Sequence, residues 1–278
     1  MIFLVLAVLS SVLVSVIMRI SEKRIRNNVS MLAANYLMCT ALAAFFTGTL
    51  NVFPRSEGLA FCLGLGVISG AFYLGSFMLL QWNIAQNGVV LSSMFMKLGV
   101  VVPTVMSMAF FHEVPQGAQV IGLLAALAAI LLINLEKGQG RASSGTALIL
   151  LLLIGGGTDA MSKVFEVLGR AELKNHFLMY TFAVALALCI AVCAVRGQRF
   201  TPVDLGFGLL LGIPNYFSAR FLLLSLTTVP AVIAYPTYSV ATIVVLALAG
   251  MALFHERLSK KHRAALLIIL GALILLNV

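Results

Sequence analysis

The chain has 278 residues, of which 62% are Ala, Val, Ile, Leu, Met, Phe, Trp, Tyr or Cys and only 10% are charged, far from the roughly half apolar and quarter charged balance of soluble domains. A water-soluble fold could not hide that much apolar surface. In a nucleic-acid binder the net charge of +9 would gather on one polar face; here the basic residues fall in short gaps between apolar runs, which argues against nucleic acid as a partner and for a chain organised by a lipid bilayer.

A hydrocarbon core of about 30 Å takes about 20 apolar residues per helix. The first span covers residues 1–20. No Lys or Arg precedes it and no small-residue cleavage site leads into a soluble domain, so it reads as a retained helix rather than a secretory signal. The polar break Ser21–Asn28 leads to a second span near 30–50, and Asn51–Gly58 to spans near 58–81 and 88–110, which the tight break Asn83–Gly88 separates. Gly64, Gly66 and Gly70 in the third span signal close helix contact. A second tight break, His112–Gly117, precedes a span near 117–135, and Glu136–Gly145 one near 146–165. Spans near 175–195, 203–226, 230–253 and 262–278 complete ten, with Arg196–Pro202 as the clearest break among them. No gap is long enough for a domain in water, so soluble enzyme or receptor chemistry has nowhere to live. Cys39, Cys62, Cys189 and Cys193 sit inside apolar runs without metal-ligand spacing; buried thiols are expected, with neither metal nor cofactor.

The chain repeats itself. Phe111-His112-Glu113 and Phe254-His255-Glu256 open segments ending in Leu131-Leu132-Ile133-Asn134 and Ile274-Leu275-Leu276-Asn277, every pair offset by 143 residues, and the same offset pairs Tyr73 with Tyr216. An offset of 144 pairs Ser11 with Gly155, Ser15 with Asp159, Arg19 with Lys163 and Glu22 with Glu166. The expected fold is therefore an all-α integral membrane protein of ten transmembrane helices in two inverted five-helix repeats, 1–138 and 143–278. Because five is odd, the second copy must enter the membrane in the opposite sense, which places a site at the repeat interface near mid-bilayer. Lys and Arg number 12 in the gaps after odd-numbered spans and 4 after even-numbered ones, and the positive-inside rule then puts both termini outside the cytoplasm.

Charged groups inside spans cost at least about 2.5–3.5 kcal/mol on insertion scales, so each needs a reason to be there. Asp159 lies near the middle of span 6, on a polar stripe with Gly155, Ser162, Lys163 and Glu166. It reads either as a proton, cation or amine site or as a structural partner of Lys163, four residues on, or of another basic residue. Lys97, in span 4 with Ser93 and Thr104 on one face and Pro103 beyond, reads as a cavity residue or as half of an ion pair. Arg220 follows Gly212-Ile213-Pro214-Asn215-Tyr216 and suits bidentate contact with a carboxylate or phosphate, or else pairs with Asp159 or caps carbonyls near the proline. Tyr235, Tyr238 and Pro236 in span 9, with Pro236 aligned to Ser93, offer hydroxyls and a freed carbonyl, although aromatic residues also simply pack helices. The charges lack duplicates: Asp159 matches Ser15, Lys97 matches Val240 and Arg220 matches Phe77. Two deep basic groups against one acid point to an anionic substrate such as an amino acid or organic acid.

Ten spans, the five-plus-five duplication and the tags His112-Glu113 and His255-Glu256 before the last span of each half resemble the EamA-like branch of the drug/metabolite transporter superfamily over the full chain. Lys97-Leu98-Gly99-Val100-Val101-Val102-Pro103, Gly212-Ile213-Pro214-Asn215-Tyr216 and Phe254-His255-Glu256-Arg257-Leu258-Ser259 look like motifs of its bacterial members. The chain departs from the commoner Gly-Glu tag in carrying His-Glu. The resemblance implies a non-enzymatic secondary transporter of a small metabolite, often an exporter, working by alternating access as a monomer or homodimer in the cell inner membrane. It also implies cytoplasmic termini, opposite to the charge count. Consistent with ATP-independence, no GxxxxGK[ST] phosphate loop occurs. Proton coupling would fall to Asp159, and Lys97, Lys163, Arg220, Tyr73, Tyr216, Tyr235, Tyr238 and Ser93 are the other candidates for substrate binding or coupling. A lipid flippase or scramblase and a non-transporting membrane partner protein are the rival readings.

Overall fold

A computed structural model describes residues 1–22, 24–48, 51–134, 145–254 and 260–277, and within its helices the side chains of all these except 88–91, 93–94, 133–134, 254 and 260–263. Ten α-helices are found among the described residues: α1 Ile2–Ser21, α2 Asn28–Thr47, α3 Leu59–Leu98, α4 Val101–Phe111, α5 Gly117–Asn134, α6 Gly145–Leu168, α7 Lys174–Val195, α8 Pro202–Ser225, α9 Ala231–Phe254 and α10 Lys260–Leu276. Among the described residues, seven helical stretches are long and apolar enough to cross a membrane, and three shorter apolar ones, Phe95–Phe111, Gly117–Leu132 and Ala264–Leu276, accompany them. The molecule is a multi-pass membrane protein.

The helix ends mostly fall where turn chemistry puts them. Asn27 caps α2 by accepting from the Val29 and Ser30 amides, and Gly48 ends that helix in the left-handed region at φ 69°. One expected break is absent. The backbone stays helical through Asn83–Gly88, and α3 runs for 40 residues to a break at Gly99–Val100 instead. The polar side chains that resembled a turn are satisfied within the helical packing: Asn83 Nδ2 donates to Leu79 O at 2.9 Å and to Ala147 O at 3.0 Å, and Asn87 Nδ2 donates to Asn83 Oδ1 at 3.0 Å. At about 1.5 Å per residue, 40 residues extend to about 60 Å, twice the hydrocarbon thickness.

The chain divides into two compact units, and each draws helices from both expected repeats. One comprises Ile2–Leu74 and Met161–Ser225. Within it α2 is the central helix, packing on α7 and α8, while α1 packs on α8. The first part of α3 approaches α7 closely because Gly66 and Gly70 have no side chain: a methyl at Gly66 would lie 2.7 Å from Tyr180 Cβ, and one at Gly70 2.7 Å from Val184 Cβ. Gly64 does not share this role, since a methyl there would meet nothing within 4 Å.

The other unit comprises Met1, Gly75–Ala160 and Leu226–Val278. In it α4 packs on α9, and α5 packs on α10 around a core of Ala126, Ala129, Ile130, Val240 of α9, Ile269, Ala272 and Leu276. The His-Glu tag acts here as a joint. His112 ends α4 at φ 53°, and the following Glu113 accepts from the Val232 amide at 3.0 Å, satisfying one of the free donors in the first turn of α9. The second tag, His255-Glu256, lies outside the described residues.

Candidate functional site

The expected site residues fall into two sets, one in each compact unit. In the unit holding Gly75–Ala160 and Leu226–Val278, α6 carries Asp159 and α9 carries Tyr235 and Tyr238. Tyr235 is fully buried, and its hydroxyl donates to the backbone oxygen of Asp159 at 2.6 Å, so the phenol holds the main chain of α6 and leaves the carboxylate to other contacts. Asp159 itself is half-buried, and among the described residues no hydrogen bond or ion pair reaches its carboxylate. Tyr238 is half-buried, one turn before Thr242, whose hydroxyl bonds to the Tyr238 carbonyl at 2.7 Å.

Lys97 occupies the last turn of α3, immediately before the Gly99–Val100 break. Its side chain is exposed, and no described carboxylate pairs with it. The face expected to join Ser93, Lys97 and Thr104 is interrupted by that break: Thr104 lies in α4, 1% exposed, with its hydroxyl on Val100 O at 2.8 Å. The Ser93 side chain lies outside the described residues. The break packs directly on α6, where a methyl at Gly99 would come within 3.0 Å of the Gly156 amide and one at Gly156 would overlap Gly99 O. Such backbone contact keeps an interrupted helix close to its neighbour.

In the unit holding Ile2–Leu74 and Met161–Ser225 the geometry around Arg220 is complete. Arg220 Nη1 donates to Tyr216 Oη at 2.7 Å and to Asn175 Oδ1 at 3.1 Å, while the guanidinium lies 4.1 Å from the centre of the Phe46 ring. Asn175 uses its other end to donate to Phe46 O at 2.5 Å. The cluster therefore ties together the last turn of α2, the first turn of α7 and α8 five residues from its end. Arg220 is thus shallower than mid-span, as a long cationic side chain in a membrane helix prefers. Every partner named is neutral, and no described carboxylate pairs with the guanidinium.

Tyr216 also joins an aromatic layer. Its ring stacks on Phe46 at 5.7 Å and meets Phe182 at 6.4 Å, and Phe182 in turn meets Tyr73 at 5.5 Å and Tyr36 at 6.2 Å. Tyr73, half-buried, and Tyr216, fully buried, are therefore linked through Phe182. Lys163 belongs to the same unit but to a different environment: it is 4% exposed and donates to Glu166 at 2.7 Å, one turn on along α6. That buried pair explains the lower part of the polar stripe structurally.

Several contributors were not singled out from the sequence. Asn175 reads only as the first residue of the span near 175–195, and Phe46 as one apolar residue among many. A buried network of Asn35, Cys39 and Asn215 also escaped notice: Asn215 Nδ2 donates to Asn35 Oδ1 at 3.1 Å, and the Cys39 thiol to Gly212 O at 3.3 Å. An asparagine alone in an apolar span, which must find a partner, was the available signal for Asn35.

No family model matches the chain. An uncharacterized protein of Haemophilus influenzae is 22% identical over 283 residues, an alignment covering 97% of this chain and 95% of that protein. A crystal structure of another protein superposes with a TM-score of 0.73 at 14% identity, covering 99% of this chain and 94% of that one. The fold is therefore shared with a solved structure across nearly its whole length.

Proposed function

We infer that the chain is a secondary transporter of the EamA-like kind, built from two inverted five-helix repeats and exporting a small metabolite across the cell inner membrane. The observation that carries this reading is the interrupted helix at Gly99–Val100, which follows Lys97 directly and packs on Gly156 of α6, one turn before Asp159. Transporters place substrate and coupling sites at such discontinuities, where irregular backbone and ionisable groups share a cavity. Asp159 is the residue to couple flux to protons, and Lys97 in one unit and Arg220 in the other each offer a cation to an anionic group.

The packing supports duplication. Helices five apart in the chain meet: α2 with α7, α4 with α9, and α5 with α10. Inversion has support within one unit. Arg220 meets Asn175 just after α6 ends, and its neighbour Phe221 stacks on Phe3 at 6.2 Å where α1 begins, so α1 and α6 run in opposite senses.

The test is flux into liposomes carrying the full chain, with amino acids, organic acids, nucleosides and cationic drugs offered with and without a pH gradient. Protein-dependent flux of a solute is expected, and Asp159→Asn should lose its dependence on the gradient. Absence of flux for every solute would sink the transport reading, and unchanged proton-driven uptake by Asp159→Asn would remove Asp159 from coupling. A lipid flippase reading draws on the shallow position of Arg220 near three helix ends; lipid scrambling without solute flux in the same vesicles would favour it.

A further inference from the structure

The Arg220 guanidinium has five N–H donors in a planar fork. Both protons of Nη1 are taken, one by Tyr216 and one by Asn175. The Nε–H and the two protons of Nη2 make no hydrogen bond to a described residue, and neither atom is sealed from solvent. The free donors therefore form the Nε/Nη2 edge, which matches the two oxygens of a carboxylate in parallel. The bonds to Nη1 and the stack on Phe46 fix the plane of that edge, so little side-chain freedom would be lost on binding.

Two features define the ligand. First, the cation is held by a phenol, an amide and a ring, with no described carboxylate to balance it; one uncompensated positive charge matches the single negative charge of a carboxylate. Second, the guanidinium lies over the half-buried Phe46 ring, which begins a run of half-buried rings. Phe46 meets Phe217 at 5.9 Å, Phe217 stacks on Phe221 at 5.5 Å, and Phe221 stacks on Phe3 at 6.2 Å. A flat apolar body would cover these rings while its carboxylate met the fork.

We propose that Arg220, positioned by Tyr216 and Asn175 on the Phe46 ring from which Phe217 and Phe221 continue, is the recognition site for the carboxylate of an aromatic monocarboxylate solute. This deepens the transport reading and rests on it only for the passage of the bound solute.

Equilibrium binding of radiolabelled benzoate to the full chain in a neutral maltoside detergent tests the site without requiring flux. Saturable binding is expected, displaced by other aryl carboxylates but not by benzamide, which has the ring without the charge. Arg220→Lys keeps the charge but not the fork, and should weaken binding at least tenfold while eluting as the same monodisperse species; Arg220→Gln should abolish it. Absence of saturable benzoate binding by the wild-type chain, or equal binding by wild type and Arg220→Lys, overturns the proposal. Nanodiscs separate a solute from a lipid headgroup. At an ionic strength that screens the surface potential, benzoate binding that survives in both pure phosphatidylcholine and a mixture with phosphatidylglycerol supports the solute; loss with phosphatidylglycerol assigns the fork to an anionic lipid headgroup and overturns it. Binding without flux in liposomes would reject transport and leave the site standing.

Discussion

Replacing Glu113 with alanine tests the joint between the tag and α9. Its carboxylate accepts from the Val232 amide at 3.0 Å, the second residue of α9. Loss of such a cap costs about 0.5–2 kcal/mol, and loss of a negative charge at a helix N-terminus about 0.3–1 kcal/mol at exposed positions. Taking about 1.4 kcal/mol as the central value, opening of the first turn should become about tenfold more frequent. Hydrogen–deuterium exchange read by mass spectrometry on a peptide covering the start of α9 measures this locally. Val232 and its neighbours should exchange about tenfold faster in Glu113→Ala, with a smaller change in Glu113→Gln, which retains an acceptor. A peptide from the middle of α7 should not change. Identical exchange at the start of α9 in wild type and Glu113→Ala would refute the reasoning.

Gly156→Ala should destabilise the protein by about 1–3 kcal/mol or more, because the added methyl meets backbone that cannot rotate away; Gly64→Ala, facing open space, is the control, and equal thermal stability of the two variants would contradict the packing. Tyr235→Phe removes the bond to Asp159 O and should cost about 1 kcal/mol, visible as a lower unfolding midpoint in detergent. For the buried pair, Lys163→Met or Glu166→Gln alone should cost about 3–5 kcal/mol while the combination Lys163→Met with Glu166→Leu recovers most of it; additive losses would show that the two side chains act separately. By contrast Arg170→Ala, which removes a bridge to Glu57 with side chains 51% and 88% exposed, should change stability by less than about 1 kcal/mol, and a large loss there would contradict the exposed geometry.

Most of the helices could be read from the sequence because the bilayer imposes a length and a composition, and both are local properties of the chain. The failure at Asn83–Gly88 has a local appearance but a distant cause: Asn83 is satisfied by Ala147, 64 residues away, so a cluster that would end a helix in water is tolerated inside one. The candidate charges were visible because ionisable groups are rare in such spans. Their partners were not. Asn175 lies 45 residues from Arg220, and Phe46 lies in α2, and no periodicity within a span signals a contact between spans. The pairing of Lys163 with Glu166 is within reach of helical spacing, because both residues lie on the same stripe. The left-handed turn at His112 placed the next residue, Glu113, against a helix over a hundred residues further on, which only the fold reveals.

The neutral setting of Arg220 also bears on kinetics. A cation already locked to a carboxylate must break that bond before it can take up another anion, and the exchange adds a barrier to both arrival and departure. Here the compensation comes from dipoles: the Tyr216 hydroxyl, the Asn175 amide and the carbonyl end of α2, to which Asn175 is tied through Phe46 O. Dipoles need not leave when an anion arrives. An anion bound at Arg220, as proposed, would meet no described carboxylate as a competitor, so its residence would be set by its own contacts.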